Sequence, residues 1–345
     1  MLVDRWTGSP LLNTTGQLAG LIQRGGPTWF VTDSFRLATR YDDDFVRTVV
    51  EQFDLASQER GVMVLRADGW RPAPVIAAQS TLSPTIPFGP LSLTGWARGA
   101  PLAGADLPVT LFWQAAAPIS QQFNTSLRLV DHDGQVVVQD DGPPARGLIP
   151  TNLFFPAPRP APKTLKPPEG LPTGRYRLDL AVYDVATLVP TGDPLPIGWF
   201  VLGSPPAPPA TPLEVRWQNG LRLVGMDPFS TTVRAGEQLD LRLVWSTDVA
   251  VDEEYTVFVH LVGADGQPVA QDDHAPEGDF YPTAAWAVGE PVAGAYHLTV
   301  PASLPPGQYE LKVGLYQPEQ NQRLGLESGD DAYPLAEITV LEDAP

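Results

Sequence analysis

The stretch DGQVVVQDDGPPARGLIPT, Asp133 to Thr151, returns as DGQPVAQDDHAPEGDFYPT, Asp265 to Thr283, at a constant offset of 132 residues. The same offset aligns LPVTLFWQ at Leu107 with LDLRLVWS at Leu239, placing Trp113 opposite Trp245, and FNTSLRLV at Phe123 with YTVFVHLV at Tyr255. After a one-residue adjustment GRYRLDLAVYD at Gly174 matches GQYELKVGLYQ at Gly307, and a two-residue slip matches LSLTGW at Leu91 with LRLVGM at Leu221. A chain of 345 residues that carries one pattern twice must fold as two similar modules, each burying its own core.

The pattern inside each copy is that of strands. About seven short apolar runs recur over roughly 115 to 130 residues, separated by Gly and Pro turns. In RYRLDLAVY the residues Tyr176, Leu178, Leu180 and Val182 alternate as one face of a half-buried antiparallel strand does. This predicts two tandem immunoglobulin-like β-sandwiches, with a small barrel as the alternative closure. The 39 prolines, 31 glycines and complete lack of cysteine agree with a β-rich chain that has neither disulfides nor sulfur-ligated zinc.

The first 70 residues follow another grammar. LVDRW reads as a strand, NTTGQLAGLIQRGG as a helix with Asn13 as N-cap, TWFVTDS as a buried strand, YDDDFVRTVVEQFD as an amphipathic helix, and GVMVLRADGW as a strand. That order predicts a partial Rossmann-like βαβαβ unit with a parallel sheet. The expected organisation is therefore an α/β piece over 1–70, a linker or extended edge over 71–87, a first sandwich over 88–203, a proline-rich spacer over 204–212, and a second sandwich over 213–345.

Charge limits the partners. The net charge of −18 argues against nucleic acid, whose phosphates call for Lys and Arg, and against an anionic membrane surface. The charge is uneven: residues 204–345 carry six basic against 22 acidic side chains, residues 1–203 sixteen against eighteen. The acidic half reads as a self-repelling soluble surface or as a cation-binding face. No stretch reaches the roughly 18 apolar residues of a membrane helix, and MLVDRWTGSPLLN lacks a signal-peptide core. Taken literally from Met1 the chain is cytoplasmic; the alternative is that it is the tail of a longer protein.

The repeated phrase offers the candidate chemistry. Asp133-Gly134 and Asp265-Gly266 are hairpin turns, because both central positions tolerate positive φ. The paired aspartates Asp140 with Asp141 and Asp272 with Asp273 then stand at the end of the returning strand, as solvated or capping residues or as part of a calcium site. EF-hand spacing is absent, and adjacent strand residues point to opposite faces, which excludes a facing glycosidase pair. On either side of the Pro-Thr step, Phe280, Tyr281 and Trp286 either cap the core or offer faces on which a sugar ring stacks. The residues set out as a ligand-binding surface are Asp272, Asp273, Tyr281 and Trp286; no catalytic, cofactor-binding or metal-ligating residue is assigned. His132, His260, His274 and His297 do not recur between copies, and no G-x-S-x-G, H-E-x-x-H, P-loop or G-x-G-x-x-G is present.

YTVFVHLVGADGQPVAQDD, FYPTAAW and LPPGQYELKVGLYQPE, with GGPTWFVTD and ERGVMVLRADGW nearer the start, resemble the C-terminal soluble region of bacterial multi-spanning membrane glycosyltransferases that use lipid-linked sugar donors. The resemblance implies an extracytoplasmic, cell-envelope location, tethering to a membrane region not contained in this chain, and a glycan or envelope protein as partner. It carries over no catalytic residue, since that family's catalytic carboxylate lies between membrane helices. The expectation is a non-catalytic accessory region acting as spacer or binding module. The alternatives are part of an active glycosyltransferase and a calcium-stabilised adhesion module.

Overall fold

The computed structural model describes residues 12–71, 76–100, 105–155 and 157–342. The strand expected over LVDRW lies outside them. The chain forms two compact units, Met1–Gly203 and Ser204–Pro345, and is mainly β. Among the described residues no helix is long and apolar enough to cross a membrane.

The first unit opens with α1 (Thr15–Ile22), β1 (Thr28–Asp33), α2 (Ser34–Arg40), α3 (Asp43–Gln52), β2 (Asp54–Glu59) and β3 (Val62–Ala67). The cap of α1 is Thr14 rather than Asn13: the Thr14 hydroxyl accepts from the Gln17 N–H, and the Gln17 side chain accepts from the Asn13 N–H at 2.9 Å. The Asp42 carboxylate caps α3 by accepting from the Phe45 N–H, with Asp43 and Asp44 in the first turn. Phe45, Val49 and Phe53 are buried beneath the sheet with Phe30, Met63 and Leu65.

This sheet is not the parallel βαβαβ unit that the sequence suggests. Its order is β1-β3-β2 and both pairings are antiparallel. The reason is local. DLASQE, which has no buried position and no apolar alternation, is a strand, and it returns into β3 through Arg60 and Gly61, both at positive φ. A two-residue turn of this kind permits only an antiparallel neighbour, whereas a parallel pair needs a long crossover.

The first β-module follows as β4 (Ile76–Phe88), β5 (Leu91–Gly99), β6 (Leu107–Ala115), β7 (Phe123–Val130), β8 (Val136–Gly142), β9 (Arg159–Leu165), β10 (Gly174–Asp184) and β11 (Leu195–Leu202). They form two open sheets, β4-β5-β6-β9 and β11-β10-β7-β8. Leu93, Leu111 and Trp113 from one sheet and Leu127, Leu129, Leu178 and Leu180 from the other belong to one buried cluster, which runs on into the α/β layer. Ile76–Phe88, expected as linker or extended edge, is thus a paired edge strand. Edges tolerate its prolines, and its pairing with β5 shifts register between Thr81 and Ile86, around Pro84.

The second unit repeats the plan with β12 (Thr211–Arg216), β13 (Leu221–Met226), β14 (Thr232–Arg234), β15 (Gln238–Thr247), β16 (Thr256–Val262), β17 (Pro268–His274), β18 (Val292–Thr299), β19 (Gly307–Gln317), β20 (Gln322–Leu324) and β21 (Tyr333–Leu341). One sheet is β12-β13-β15-β18; the other is β14-β21-β19-β16-β17, with β20 on β19. The spacer ends early, since Thr211 and Pro212 belong to β12. Arg242 donates to the Ala207 carbonyl at 2.8 Å and Asp227 accepts from the Ala210 N–H at 3.0 Å, so part of the proline-rich stretch is tied to this module.

A duplicated glycine records a duplicated constraint. The pairings of β5 with β6 and of β13 with β15 shift register at Gly95 and Gly225 respectively. A Cβ at Gly95 would lie 2.6 Å from the Ser80 carbonyl oxygen, and one at Gly225 would run into the carbonyl of Thr211 and the Pro209 ring. Backbone of the neighbouring strand fills the place of a side chain. Gly225→Ala is expected to lower the stability of the second unit by about 1–3 kcal/mol in urea unfolding of the full chain; an unchanged midpoint would show that the strand simply moves away.

Candidate functional site

The repeated phrase is a set of bonds that close each module. Gly134 and Gly266 both have φ 77° and turn the hairpins β7–β8 and β16–β17. At the end of the returning edge strand, Asp140 Oδ2 accepts from the backbone N–H of Thr164 at 2.8 Å, and Asp272 Oδ2 from that of His297 at 2.6 Å. Thr164 and His297 lie on β9 and β18, the edge strands of the opposite sheets. Each carboxylate therefore fastens one sheet to the other along the open side. Asp141 and Asp273 take the other face of the strand: Asp141 accepts from the Gln139 amide at 2.8 Å, and Asp273 Oδ1 lies 3.0 Å from His260 Nε2. The pleat separates adjacent carboxylates, so neither pair chelates a cation. Among the described residues no group of three or more metal-ligating side chains is present.

The Pro-Thr step is a second bond of the same kind. Thr151 Oγ1 accepts from the Phe123 N–H at 3.2 Å and donates to the Gln121 carbonyl at 3.1 Å; Thr283 Oγ1 accepts from the Tyr255 N–H at 2.8 Å and donates to the Glu253 carbonyl at 3.2 Å. Thr151 and Thr283 are both buried.

Of the four residues set out as a ligand surface, Tyr281 and Trp286 come together, but inward. They are 1% and 5% exposed. Their rings lie 6.4 Å apart, the indole N–H donates to the Tyr281 carbonyl at 3.2 Å, and the phenol donates to Glu290 at 2.9 Å. Covered ring faces cannot receive a pyranose, so these aromatics cap the core. Asp272 and Asp273 are engaged elsewhere, with β18 and with His260. The expected surface is not assembled as a stacking platform.

A cleft of about 590 Å³ lies in the first unit, where α3 meets the β-module. Asp140, Asp141, Arg146 and Lys163 line one wall, from the β-module, and Glu51 and Arg71 the other, from the α/β layer. The Lys163 side chain is 4% exposed. Its ammonium donates to the carbonyls of Thr125 and Asp140, both at 3.2 Å, and lies 3.3 Å from the Asp140 carboxylate. Burial pushes Lys163 below the ordinary lysine range, and the Asp140 charge opposes that shift. Burial also raises the Glu51 carboxyl, partly offset by the Arg47 charge.

Arginines hold the α/β layer against this wall. Arg146 donates to the carbonyls of Val50 at 3.1 Å and Phe53 at 3.0 Å, at the C-terminal end of α3, and pairs with Asp54. Arg71 pairs with the same Asp54, and these hydrogen bonds, that of Arg71 first, hold its carboxyl below the usual range. The buried Arg159 reaches Asp43 at 2.9 Å and the Ala38 carbonyl at 2.6 Å. Arg146 sits at φ 55°, a conformation costly for a side-chain-bearing residue; its counterpart in the second module is Gly278, at φ 57°. Likewise Arg159 and Lys163 correspond to Val292 and Tyr296 by strand register, as Trp113 pairs Arg159 and Trp245 pairs Val292. These cations were not singled out from the sequence. The signal was available as charge present in one copy and missing in the other.

Two outcomes follow from these bonds. Asp272→Ala should destabilise the second unit by about 1–3 kcal/mol, as loss of a charge-assisted bond to a backbone N–H does, while Glu319→Ala in the exposed turn between β19 and β20 should stay within about 0.5 kcal/mol; equal effects in urea unfolding would refute the inter-sheet role. For Lys163, the unfolded chain keeps its proton to higher pH than the folded one, so folding gains stability with rising pH across the window that ends at 10.5. The stability difference between wild type and Lys163→Met should therefore rise in wild type's favour over that window; a flat difference would contradict it. Comparison with known proteins leaves the reading to geometry, for no family model and no curated protein sequence matches the chain.

Proposed function

We propose that this chain is a non-catalytic accessory region with two tandem immunoglobulin-like sandwiches, serving as spacer and binding module in an extracytoplasmic, glycosyltransferase-like protein of the cell envelope. The strand orders support the immunoglobulin-like assignment. β5-β6-β9 facing β11-β10-β7-β8 corresponds to A-B-E facing G-F-C-C′, and β13-β15-β18 facing β21-β19-β16-β17 repeats it. The short β14 runs parallel to β21, as an A′ strand beside G. Tyr176 donates to the Pro172 carbonyl and Tyr309 to the Pro305 carbonyl, both at 2.9 Å, in the manner of a tyrosine corner at the start of strand F.

One observation carries the accessory role. Three polar pairs kept in both copies, Asp140 with Asp272, Thr151 with Thr283 and Tyr176 with Tyr309, bind backbone groups of their own module, while Asp141 and Asp273 engage side chains of their own sheet. What is duplicated is a way of holding two sheets together. The place in an envelope glycosyltransferase rests on the sequence strings that resemble that family's soluble region.

Genomic DNA upstream of the Met1 codon is expected to continue an open frame that encodes hydrophobic segments; a ribosome-binding site directly before Met1 with no such segments would sink the tail reading. The purified chain should show no glycosyl transfer from a polyprenyl-phosphate sugar to an oligosaccharide acceptor, and turnover abolished by a point substitution in the chain would overturn the accessory role.

A further inference from the structure

The cleft between α3 and the first β-module does not end at Arg71. An adjoining cavity of about 320 Å³ shares Glu51, Gln52, Pro108 and Thr110 with it and carries the groove on to Trp70 and Phe112. The C-terminal turn of α3 forms one wall and β6 the other. Gln52, 2% exposed, is fixed in place, since its amide donates to the Arg71 carbonyl and accepts from the Arg71 N–H, both at 2.8 Å. Trp70 at the far end keeps 36% of its surface exposed.

We propose that this groove binds a neutral oligosaccharide, with Trp70 as the stacking face and the charged walls as hydrogen-bonding partners for its hydroxyls. The electrostatics favour this class. Arg47, Arg71, Arg98, Arg146, Lys163 and Lys166 face the groove against Glu51, Asp106, Asp140 and Asp141, while Asp44 and Asp54 pair with Arg47 and with Arg71 and Arg146. Six positive groups thus stand against six negative ones. A phosphate or polyanion site requires a surplus of cations, and a cation site a surplus of carboxylates. A wall whose charges balance instead offers donors and acceptors with little net field, which suits alternating hydroxyls. An exposed indole supplies the flat apolar surface that the CH face of a pyranose covers. A peptide adding as an extra strand is disfavoured, because β6 is interior to its sheet and the edge strand β9 carries Pro160 and Pro162, which have no N–H to offer.

This goes beyond the accessory role and fails separately from it, since that role is tested on upstream sequence and turnover. The experiment titrates the full chain by calorimetry with neutral tetrasaccharides of glucose, mannose, galactose and N-acetylglucosamine, and in parallel with inorganic phosphate and a tetragalacturonate. Saturable binding of at least one neutral tetrasaccharide is expected, weakened at least tenfold by Trp70→Ala and by Asp141→Ala, with unfolding midpoints within a few degrees of wild type. Trp29→Ala, at an exposed indole outside the groove, should leave binding unchanged. No heat with any neutral sugar at millimolar concentration, binding of the anions alone, or affinity indifferent to Trp70→Ala would each overturn the proposal.

Discussion

A two-sheet module has an open side where two edge strands face each other with unpaired backbone groups, and here a single carboxylate closes it. Asp140 on β8 takes the N–H of Thr164 on β9, and Asp272 on β17 takes that of His297 on β18. The bond forms only if the hairpin register is right, because a slip of one residue would turn the carboxylate to the opposite face. The register is set by the Asp-Gly turn, whose glycine stands six residues earlier and where Gly134 and Gly266 adopt the same positive φ. Thr151 and Thr283 then pin the following loop to the start of the neighbouring strand. Turn, carboxylate and threonine depend on one another, which is why they recur as one phrase rather than as scattered identities.

The differences between the copies are as physical as the likenesses. The first module carries Arg146, Arg159 and Lys163 where the second has Gly278, Val292 and Tyr296. Two of those cations reach into the α/β layer and bind helix carbonyls and Asp54 or Asp43. The third neutralises the edge beside Asp140. The near-neutral balance of residues 1–203 is in part the record of this docking. Among the described residues the second module docks no such layer, buries Tyr296 and Trp245 at its core, and keeps the more acidic composition.

Much of this was legible in the chain. The offset of 132 gave the two modules, alternation in RYRLDLAVY gave strand β10, and Asp-Gly gave both hairpins. What was not legible lay where periodicity is silent. DLASQE has no buried face, so nothing in it announces a strand, and without it β1 and β3 read as parallel neighbours. Prolines in Ile76–Phe88 resemble a linker until the strand is known to lie on an edge. Tyr281 and Trp286 stand in a loop, where spacing carries no information about which way a ring points; only the bonds to Glu290 and to the Tyr281 carbonyl place them inside.

The three shared bonds have a common chemistry that explains how two copies so different in composition hold one plan. In each, a side chain binds backbone, so the partner's side chain takes no part in the bond and its identity can change, as Thr164 and His297 or Phe123 and Tyr255 show; the tyrosine corners likewise use only the carbonyls of Pro172 and Pro305. Alternating apolar positions and a few such bonds fix the sheets, and the outward positions are left free to specialise. In the first module that freedom is used to seat the α/β layer and to shape the groove that ends at Trp70. A site so made arises from what one copy does not share with the other, and a search for repeated chemistry passes over it.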